Sequence, residues 1–326
     1  MKRVVVTGLG VVSCLGNNQD EVYQSLVNTK SGITFSEEYK EHNLKSHVHG
    51  KPNIKLEDYI DRKELRKLDD FSVYALISTA EAIKNSNLDL NLLDLSRCGV
   101  IWGSGIGGLN TMSSEIETYV LANKVPRFSP FFIPKMISDI AAGLISIKYG
   151  FRGPNFSTVS ACASSTNSII EAYHYIKLGK SDVMISGGSE ASVNEAALGG
   201  FNALRALSTR NEEPSKASRP FDSGRDGFVL GEGAGTIILE EYEHAKKRGA
   251  NIYCEVKGTG TSGDAYHLTA PEPNGIGAMQ AMKNAIKESN LDLSEIDESS
   301  EIDEEFNQET EEELLDIPTF LRRQAN

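Results

Sequence analysis

The chain has 326 residues, of which 39% are hydrophobic, and it carries a formal net charge of −13. This length and apolar content suffice for one large or two ordinary globular domains, which excludes a wholly disordered protein. The sequence contains no apolar run of about 18 residues and no secretory signal pattern, so we expect neither membrane insertion nor secretion. Its four scattered cysteines form no CxxC pair, which argues against a disulfide framework or a metal site and favours a cytoplasmic location.

Most of the negative charge lies near the C-terminus. Twelve Asp or Glu residues and no Lys or Arg fall between Glu295 and Asp316, and Arg322 and Arg323 follow, which leaves about −3 for residues 1–294. We therefore expect an acidic disordered linker at 298–313 and a short terminal peptide at 314–326. That peptide is either a docking segment or a frayed end.

Strands alternate with helices along the body, which is typical of α/β proteins. The stretches "RVVVTGLG" and "RCGVIWGSGIGG" each predict a buried strand that enters a glycine turn. Between them, "RKELRKLDDFSVYALISTAEAIKNS" has apolar residues at helical spacing and predicts one amphipathic helix. Next, "NFSTVSA", a helix from about Cys162 to Lys177, and "DVMISGG" predict a βαβ-like unit. Two short strands, a helix from about Glu240 to Arg248, another strand and a helix in "GIGAMQAMKNAIKESN" complete the pattern.

The sequence GSGIGG at 103–108 raises the hypothesis of a dinucleotide site. It satisfies G-x-G-x-x-G after a predicted strand, but no clear second strand with an acidic end follows it. Close backbone packing is therefore the favoured interpretation of these glycines. A dehydrogenase remains a distant third hypothesis for function.

Cys162 lies where a predicted strand gives way to a helix. The unpaired N–H groups and the positive dipole end of a helix favour the thiolate, which is the nucleophilic form, and they can also receive an oxyanion. On pattern alone, a small structural cysteine remains the alternative. Among six histidines, only His267, in "SGDAYHLTAPEP", is free enough to reach a distant cysteine, and a loop-packing role for it stays open.

Lys63, Arg66 and Lys67 form a basic stripe on the predicted amphipathic helix. The stripe is either a solvated face or a recognition surface for a small acidic or phosphorylated partner. It is too short and too poor in aromatic residues to indicate nucleic-acid binding.

Several motifs follow one another along the chain: "VVVTGLGVVSCLG", "DRKELRKLDDF", "GSGIGG", "SPFFIP", "YGFRGPNFSTVSACASS", "FNALRALSTRN", "ASRPFD" and "RDGFVLGEGAG". By the order of these motifs, residues 1 to about 297 resemble the β-ketoacyl-acyl-carrier-protein synthases of the type II elongating kind, which have a thiolase fold. The resemblance implies an α/β protein with a thiolase-like layered αβαβα fold. The N-terminal half, 1–251, would be complete, and the C-terminal half, 252–297, would be only begun.

The resemblance also implies roles for particular residues. Cys162 would be the acyl-accepting nucleophile, and Ile106 would occupy the gating position of an acyl pocket to which Gly105, Gly107 and His267 belong. The residues implied to bind the acidic acyl carrier protein are Lys63, Arg66, Lys67, Arg127 and Arg205. The implied substrates are acyl and malonyl thioesters, the implied assembly is a homodimer, and no cofactor or metal is implied.

Three motifs of that family do not occur in this sequence: N-A-H-G-T-S-T, G-H-L-x-G-A and F-G-F-G-G. The first two carry the family's decarboxylation histidines, so we expect a truncated chain that is acylated on Cys162 but deficient in condensation. The terminal "LLDIPTFLRRQAN" resembles instead the C-terminal peptide of the tubulin-like bacterial division protein FtsZ. An alternative function is therefore a non-catalytic fused or chimeric protein that presents this peptide to a division partner.

Overall fold

The computed structural model describes residues 1–292. Its strands are β1 (Val4–Val12), β2 (Thr34–Phe35), β3 (Val48–His49), β4 (Cys98–Gly103), β5 (Asn155–Thr158), β6 (Val183–Glu190), β7 (Gly233–Glu241) and β8 (Cys254–Val256). Its helices are α1 (Gln19–Val27), α2 (Glu37–Glu41), α3 (Arg62–Leu65), α4 (Asp70–Ser86), α5 (Leu109–Leu121), α6 (Phe132–Met136), α7 (Ile140–Tyr149), α8 (Ser164–Lys177), α9 (Glu195–Ala203), α10 (Tyr242–Lys247) and α11 (Ile276–Ser289). The predicted linker at 298–313 and terminal peptide at 314–326 lie outside the described residues.

One mixed sheet organises the first compact unit, which comprises residues 1–218 and 226–255. Its strand order is β5-β4-β6-β7-β1-β8. Strand β4 is parallel to both β5 and β6, whereas β7 is antiparallel to both β6 and β1. Because β4 lies between β5 and β6, the predicted βαβ-like unit is a crossover in which α8 passes over an intervening strand. The α/β prediction is confirmed.

Glycines allow two helices to approach this sheet closely. A Cβ on Gly10 of β1 would lie 1.9 Å from the carbonyl oxygen of Ser78 in α4. A Cβ on Gly103 of β4 would lie 2.4 Å from the carbonyl carbon of Ser164, the first residue of α8. Neither strand position has room for a side chain. The second of these contacts brings the start of α8 to the end of β4.

The core of this unit lies between the sheet and helices α4 and α7. Phe71 and Leu76 of α4, Trp102 of β4, Ile145 of α7 and Ile238 of β7 are buried in one apolar cluster. Trp102 is completely buried, and its indole N–H donates to Ser189 Oγ at 2.9 Å. This cluster therefore fixes helices α4 and α7 against strands β4 and β7.

The prediction of one continuous amphipathic helix over "RKELRKLDDFSVYALISTAEAIKNS" is wrong, because this stretch forms two helices, α3 and α4. Asp69 is in extended backbone, and its side chain caps the new helix α4 by accepting from Phe71 N–H. Its other carboxylate oxygen accepts from Thr111 N–H and Oγ1 at 2.9 and 2.7 Å. A helical spacing of apolar residues continues across this break, so periodicity alone could not detect the cap.

A single strand, β7, replaces the two short strands predicted in "GFVLGEGAGTIILEE". Its ladder with β1 pairs Val6 with Leu239 and then Gly8 with Ile238, so Thr7 is an extra residue at a β-bulge. Thr7 Oγ1 donates to the buried carboxylate of Glu240 at 2.8 Å. The bulge thus brings the Thr7 hydroxyl to the C-terminal end of β7.

Among the described residues, the second compact unit comprises residues 219–225 and 256–292. Its helix α11 was predicted from "GIGAMQAMKNAIKESN", and this prediction is confirmed. Gly260 packs against α11 so closely that a Cβ would lie 1.9 Å from the Ala281 carbonyl oxygen. The compact units divide between Glu255 and Val256. The predicted boundary between the two thiolase-fold halves, at residues 251 and 252, stays a prediction.

Candidate active site

Cys162 lies in a 3₁₀ turn, Ala161–Ala163, that leads directly into α8. Its thiol is free, and the residue is exposed. The first N–H engaged within the turn is that of Ala163, which donates to the Ser160 carbonyl at 3.1 Å. The Cys162 N–H comes one residue earlier, among the N–H groups that lack an acceptor inside a helix. An exposed thiol and an N–H group without a helical acceptor therefore coincide at one residue.

The backbone before Cys162 is held in an unusual conformation. Ala161 has φ +51°, in the left-handed region that alanine rarely adopts. Ser164 Oγ bridges the turn, since it accepts from Ser160 N–H at 2.9 Å and donates to the Ala161 carbonyl at 2.7 Å. Thr158 Oγ1 donates to the Ser164 carbonyl at 2.7 Å, and Asn167 Nδ2 donates to Ser160 Oγ at 2.6 Å. These hydrogen bonds offset the strain that turns Cys162 outward.

A cavity of about 720 Å³ opens beside Cys162. Its walls are mainly apolar and include Val11 of β1 and the rings of Phe201 and Phe228. Gly105 and Ile106 of the GSGIGG segment also line it. A volume of this size with apolar walls suits a flexible hydrocarbon chain.

The structure brings the GSGIGG loop to Cys162. A Cβ on Gly105 would lie 3.1 Å from the carbonyl oxygen of Ala161, the residue before the cysteine. Ile106 is 43% exposed and forms part of the cavity wall. Gly107 lies away from the cavity wall, and its φ of +76° turns the loop toward α5. Of the four predicted pocket residues, Gly105 and Ile106 therefore line the cavity.

The partly buried carboxylate of Glu190, the last residue of β6, binds this loop. Its Oε2 accepts from Gly105 N–H at 2.8 Å and from Ile106 N–H at 3.2 Å. Its Oε1 accepts from Ser104 Oγ at 3.2 Å and from Gly107 N–H at 3.3 Å. Burial raises the pKa of Glu190, and these donors counter only part of that effect.

Glu190 also bears on the dinucleotide hypothesis. In such a site, the N–H groups of the glycine loop would receive phosphate oxygens. Here the N–H groups of Gly105, Ile106 and Gly107 already donate to a carboxylate of the same chain. A negatively charged phosphate would have to displace a group of the same sign, so the structure favours close packing of this loop.

His267 belongs to the second compact unit and is exposed. Its Nδ1 accepts from the backbone N–H groups of Thr269 and Ala270, both at 3.1 Å. These bonds assign the proton of a neutral ring to Nε2 and fit a loop-packing histidine. Within residues 1–292, no group of three or more His, Cys, Asp or Glu side chains is arranged to hold a metal ion.

The predicted basic residues all lie in the first unit and are exposed. Lys63 is on the short helix α3, while Arg66 and Lys67 directly follow it, so the stripe does not lie on the long helix α4. Lys67 Nζ contacts Glu64 Oε1 at 2.7 Å. Arg127 follows α5, and Arg205 follows α9 with φ +54°.

Two carboxylates were missed in the sequence. Glu190 ends the apolar run "VMISGGSE", where a charged residue after two glycines was the available signal. Glu240, at the end of β7, is completely buried, and Arg248 binds it through two nitrogens at 2.8 Å each. His244 Nδ1 lies 2.6 Å from the same carboxylate, which raises the pKa of His244. The charged helix on which His244 lies gave no reason to suspect a buried partner.

Two family profiles match the chain. "Beta-ketoacyl synthase, N-terminal domain" matches residues 1–245, and "Beta-ketoacyl synthase, C-terminal domain" matches residues 253–299. The chain is similar to 3-oxoacyl-(acyl-carrier-protein) synthase 2 of Staphylococcus aureus (strain COL), with 45% identity over 297 residues. That match covers 90% of this chain and 71% of the relative. The corresponding synthase of Coxiella burnetii is 42% identical and is matched over 91% of this chain and 72% of its own length.

Solved structures agree with these sequence matches. A β-ketoacyl synthase from Burkholderia phymatum STM815 superposes with a TM-score of 0.81 at 32% identity, over 90% of this chain and 71% of that one. A ketosynthase in complex with a type II PKS acyl-carrier protein and bound to the hexaketide superposes with a TM-score of 0.80 at 31% identity, with the same coverage. The predicted thiolase-like fold is thereby confirmed, and none of these comparisons supports the alternative of a non-catalytic interaction protein.

Proposed function

The chain belongs to the β-ketoacyl synthase family, and on that premise we propose that it is a condensing enzyme of fatty-acid elongation whose Cys162 accepts an acyl group from an acyl carrier protein. The observation that carries this proposal is the exposed Cys162 thiol at the mouth of an apolar cavity of about 720 Å³. A structural cysteine would instead be buried and would need no adjoining cavity.

The proposed step is an exchange of thioesters. Cys162 Sγ attacks the carbonyl carbon of the carrier-bound acyl group, and the negative charge moves to the carbonyl oxygen, which the Cys162 N–H can receive. The bond between that carbon and the pantetheine sulfur then breaks. The proton of the Cys162 thiol ends on the departing pantetheine sulfur. The acyl chain remains on Cys162 and enters the apolar cavity.

Condensation is the second half of the family's reaction. In it, malonyl-carrier-protein loses carbon dioxide, and the resulting carbanion attacks the Cys162 thioester. Donors must stabilise the developing enolate, and the family's two histidine motifs do not occur in this sequence. We therefore propose that this chain is acylated much faster than it condenses.

The acyl carrier protein is the proposed macromolecular partner. Lys63, Arg66, Lys67, Arg127 and Arg205 are exposed cations suited to an acidic carrier. Replacing Arg66 with Glu should slow acylation by carrier-bound donors, whereas acyl pantetheine, which lacks the carrier, should react at an unchanged rate. A salt-dependent rate with the carrier and a salt-independent rate with acyl pantetheine would support this docking role.

A homodimer is the proposed assembly. Within the described part of the chain, strand β5 is at the edge of the sheet and pairs only with β4. Helices α5 and α6 and the segment between them carry exposed apolar side chains, which include Val120, Leu121, Phe128 and Ile133. Open strand edges and clustered apolar side chains are features that a second copy can cover. Sedimentation at several protein concentrations tests this, because a monomer at all concentrations would contradict it.

Intact-protein mass spectrometry tests the acyl transfer. The full chain is mixed with an acyl carrier protein that bears a dodecanoyl thioester, and peptide mapping then finds the modified residue. We expect a single dodecanoyl adduct on Cys162, because its thiol adjoins the cavity.

Cys254 provides a matched control, since it is also free and exposed. Replacing Cys162 with Ser should abolish the thioester adduct, and replacing Cys254 with Ser should preserve it. A folded wild-type sample without an adduct, or one labelled equally on both cysteines, would contradict the proposal.

A further inference from the structure

Glu190 has no part in the proposed acyl transfer, yet it forms hydrogen bonds with four consecutive residues of the cavity loop. Its carboxylate accepts from Ser104 Oγ and from the N–H groups of Gly105, Ile106 and Gly107, at 2.8 to 3.3 Å. Three successive backbone donors that converge on one carboxylate fix the peptide planes on both sides of Ile106. The side-chain direction of Ile106 follows from those planes.

The loop is also confined by the backbone of Ala161 and by the end of α6. A Cβ on Gly105 would lie 3.0 Å from Glu190 Oε2 and 3.1 Å from the Ala161 carbonyl oxygen. Gly108 N–H donates to the Met136 carbonyl at 2.9 Å, which anchors the end of the loop at α6. Between these anchors, Ile106 is the large side chain that faces the cavity beside Cys162. Its position is therefore set mainly by the carboxylate behind it.

We propose that Glu190 is a positioning residue that holds Ile106 against the cavity and thereby limits the length of the acyl chain that Cys162 accepts. This inference rests on the proposed acylation of Cys162. Glu190 acts through the loop backbone and takes no part in the thioester exchange itself.

Glutamate is specifically suited to this role because both of its oxygens accept hydrogen bonds. Glutamine offers one acceptor oxygen, and its NH₂ group would face backbone N–H groups that are themselves donors. Replacing Glu190 with Gln thus keeps the shape of the side chain while breaking half of the loop contacts. The matched control is Glu240→Gln, because Glu240 also accepts hydrogen bonds at the end of a strand but contacts Thr7, His244 and Arg248 rather than the loop.

The first measurement is amide hydrogen exchange of the full chain. In Glu190→Gln, the peptide that contains residues 104–108 should exchange faster by about fivefold, because hydrogen bonds to a carboxylate protect these amides. The Glu240→Gln control should leave this peptide unchanged. Unchanged exchange of the loop in Glu190→Gln would overturn the proposal without any reference to acylation.

The second measurement compares butyryl and dodecanoyl pantetheine as donors to Cys162. In Glu190→Gln, the ratio of the dodecanoyl to the butyryl acylation rate should rise by about fivefold, since a released Ile106 no longer limits the cavity. Ile106→Ala should raise the ratio similarly. In the Ile106→Ala background, Glu190→Gln should have no additional effect, because the side chain that it positions is gone.

The outcomes separate this inference from the proposed function. If wild-type Cys162 accepts neither donor, the proposed function fails, while hydrogen exchange still reports whether Glu190 holds the loop. If acylation proceeds and Glu190→Gln leaves the length ratio unchanged, the positioning role is wrong. If Glu190→Gln does not fold, Ser104→Ala removes one donor from the same carboxylate and one acceptor of Gly107 N–H, so the exchange of Gly105 and Ile106, together with the length ratio, should shift in the same directions. No shift in that variant overturns the proposal.

Discussion

Strands β6 and β7 carry a glutamate at each end of their shared ladder, and the two carboxylates differ sharply. Glu190 pairs with Gly233 at one end, and Glu240 pairs with Val183 at the other. Burial acts to raise the pKa of both. For Glu240, hydrogen bonds from Arg248 and His244 outweigh burial and lower the pKa. For Glu190, the donors are uncharged N–H and hydroxyl groups, and the pKa remains raised.

The comparison shows how the partners of a carboxylate determine its role. Glu240 is completely enclosed and neutralised, so it cross-links β1, β7 and α10. Glu190 is partly buried at the cavity, and its hydrogen-bond donors within residues 1–292 are the uncharged N–H and hydroxyl groups of the loop. The Glu240 end of the ladder should therefore govern stability, and the Glu190 end should govern which acyl chains the cavity accepts.

The largest expected effect is on the Glu240 end. Replacing Arg248 with Met should lower the free energy of unfolding by about 3 kcal/mol, because it leaves a buried carboxylate without its main counter-charge. Urea unfolding followed by the fluorescence of Trp102, the one tryptophan of the chain, measures this. The ratio of dodecanoyl to butyryl acylation should stay unchanged. A shifted ratio would mean that the two ends of the ladder are not independent.

The next effect concerns the packing of the start of α8, which follows Cys162, against Gly103 of β4. In Gly103→Ala the new Cβ would clash with Ser164 and Ser165 backbone atoms at 2.4 Å, so we expect a loss of about 2 kcal/mol and slower acylation. Gly143 in α7 is a matched control, since a Cβ there has nothing within 4 Å. Gly143→Ala should stabilise the protein by about 0.5 kcal/mol. Equal effects of both substitutions would contradict this account.

His244 should give the Glu240 end a characteristic pH dependence. The hydrogen bond to Glu240 raises the pKa of His244 above its ordinary value. The stabilisation is therefore fully present below about pH 6.5 and is lost as pH rises through the folded-state pKa. Compared with His244→Gln, the wild type should be more stable by about 1 kcal/mol at acid pH. A difference that grows with rising pH would contradict the assignment.

The smallest expected effect lies at the Glu190 end and in a lower pH window. Because the folded-state pKa of Glu190 is raised, its contribution is favourable below about pH 4.3 and is lost as pH rises through the raised value. Relative to Glu190→Gln, the wild type should lose less than about 1 kcal/mol across this window. If the free energies of unfolding of the wild type and Glu190→Gln changed equally with pH, burial would not raise the pKa of Glu190.

The local features of the site could be predicted from sequence, whereas its long-range partners could not. Cys162 precedes α8 as predicted, because strand and helix patterns change over a few neighbouring residues. The Glu190 contacts join residues 84 and 85 positions apart, and no periodicity encodes such a pairing. Asp69 likewise caps α4, and its second partner, Thr111, is 42 positions away. Hydrogen bonds between distant polar groups depend on the completed sheet.

The bulge at Thr7 ties the N-terminal strand to the buried carboxylate of Glu240. Deleting Thr7 would leave an even ladder with β7, in which Val4, Val5 and Val6 keep their partners Glu241, Glu240 and Leu239. The same deletion would remove the hydroxyl that donates to Glu240. Substitution by Ser keeps both the spacing and the donor. Among homologous sequences, an alignment gap in this column would consequently mark a protein in which another group must supply the donor that Thr7 gives to Glu240.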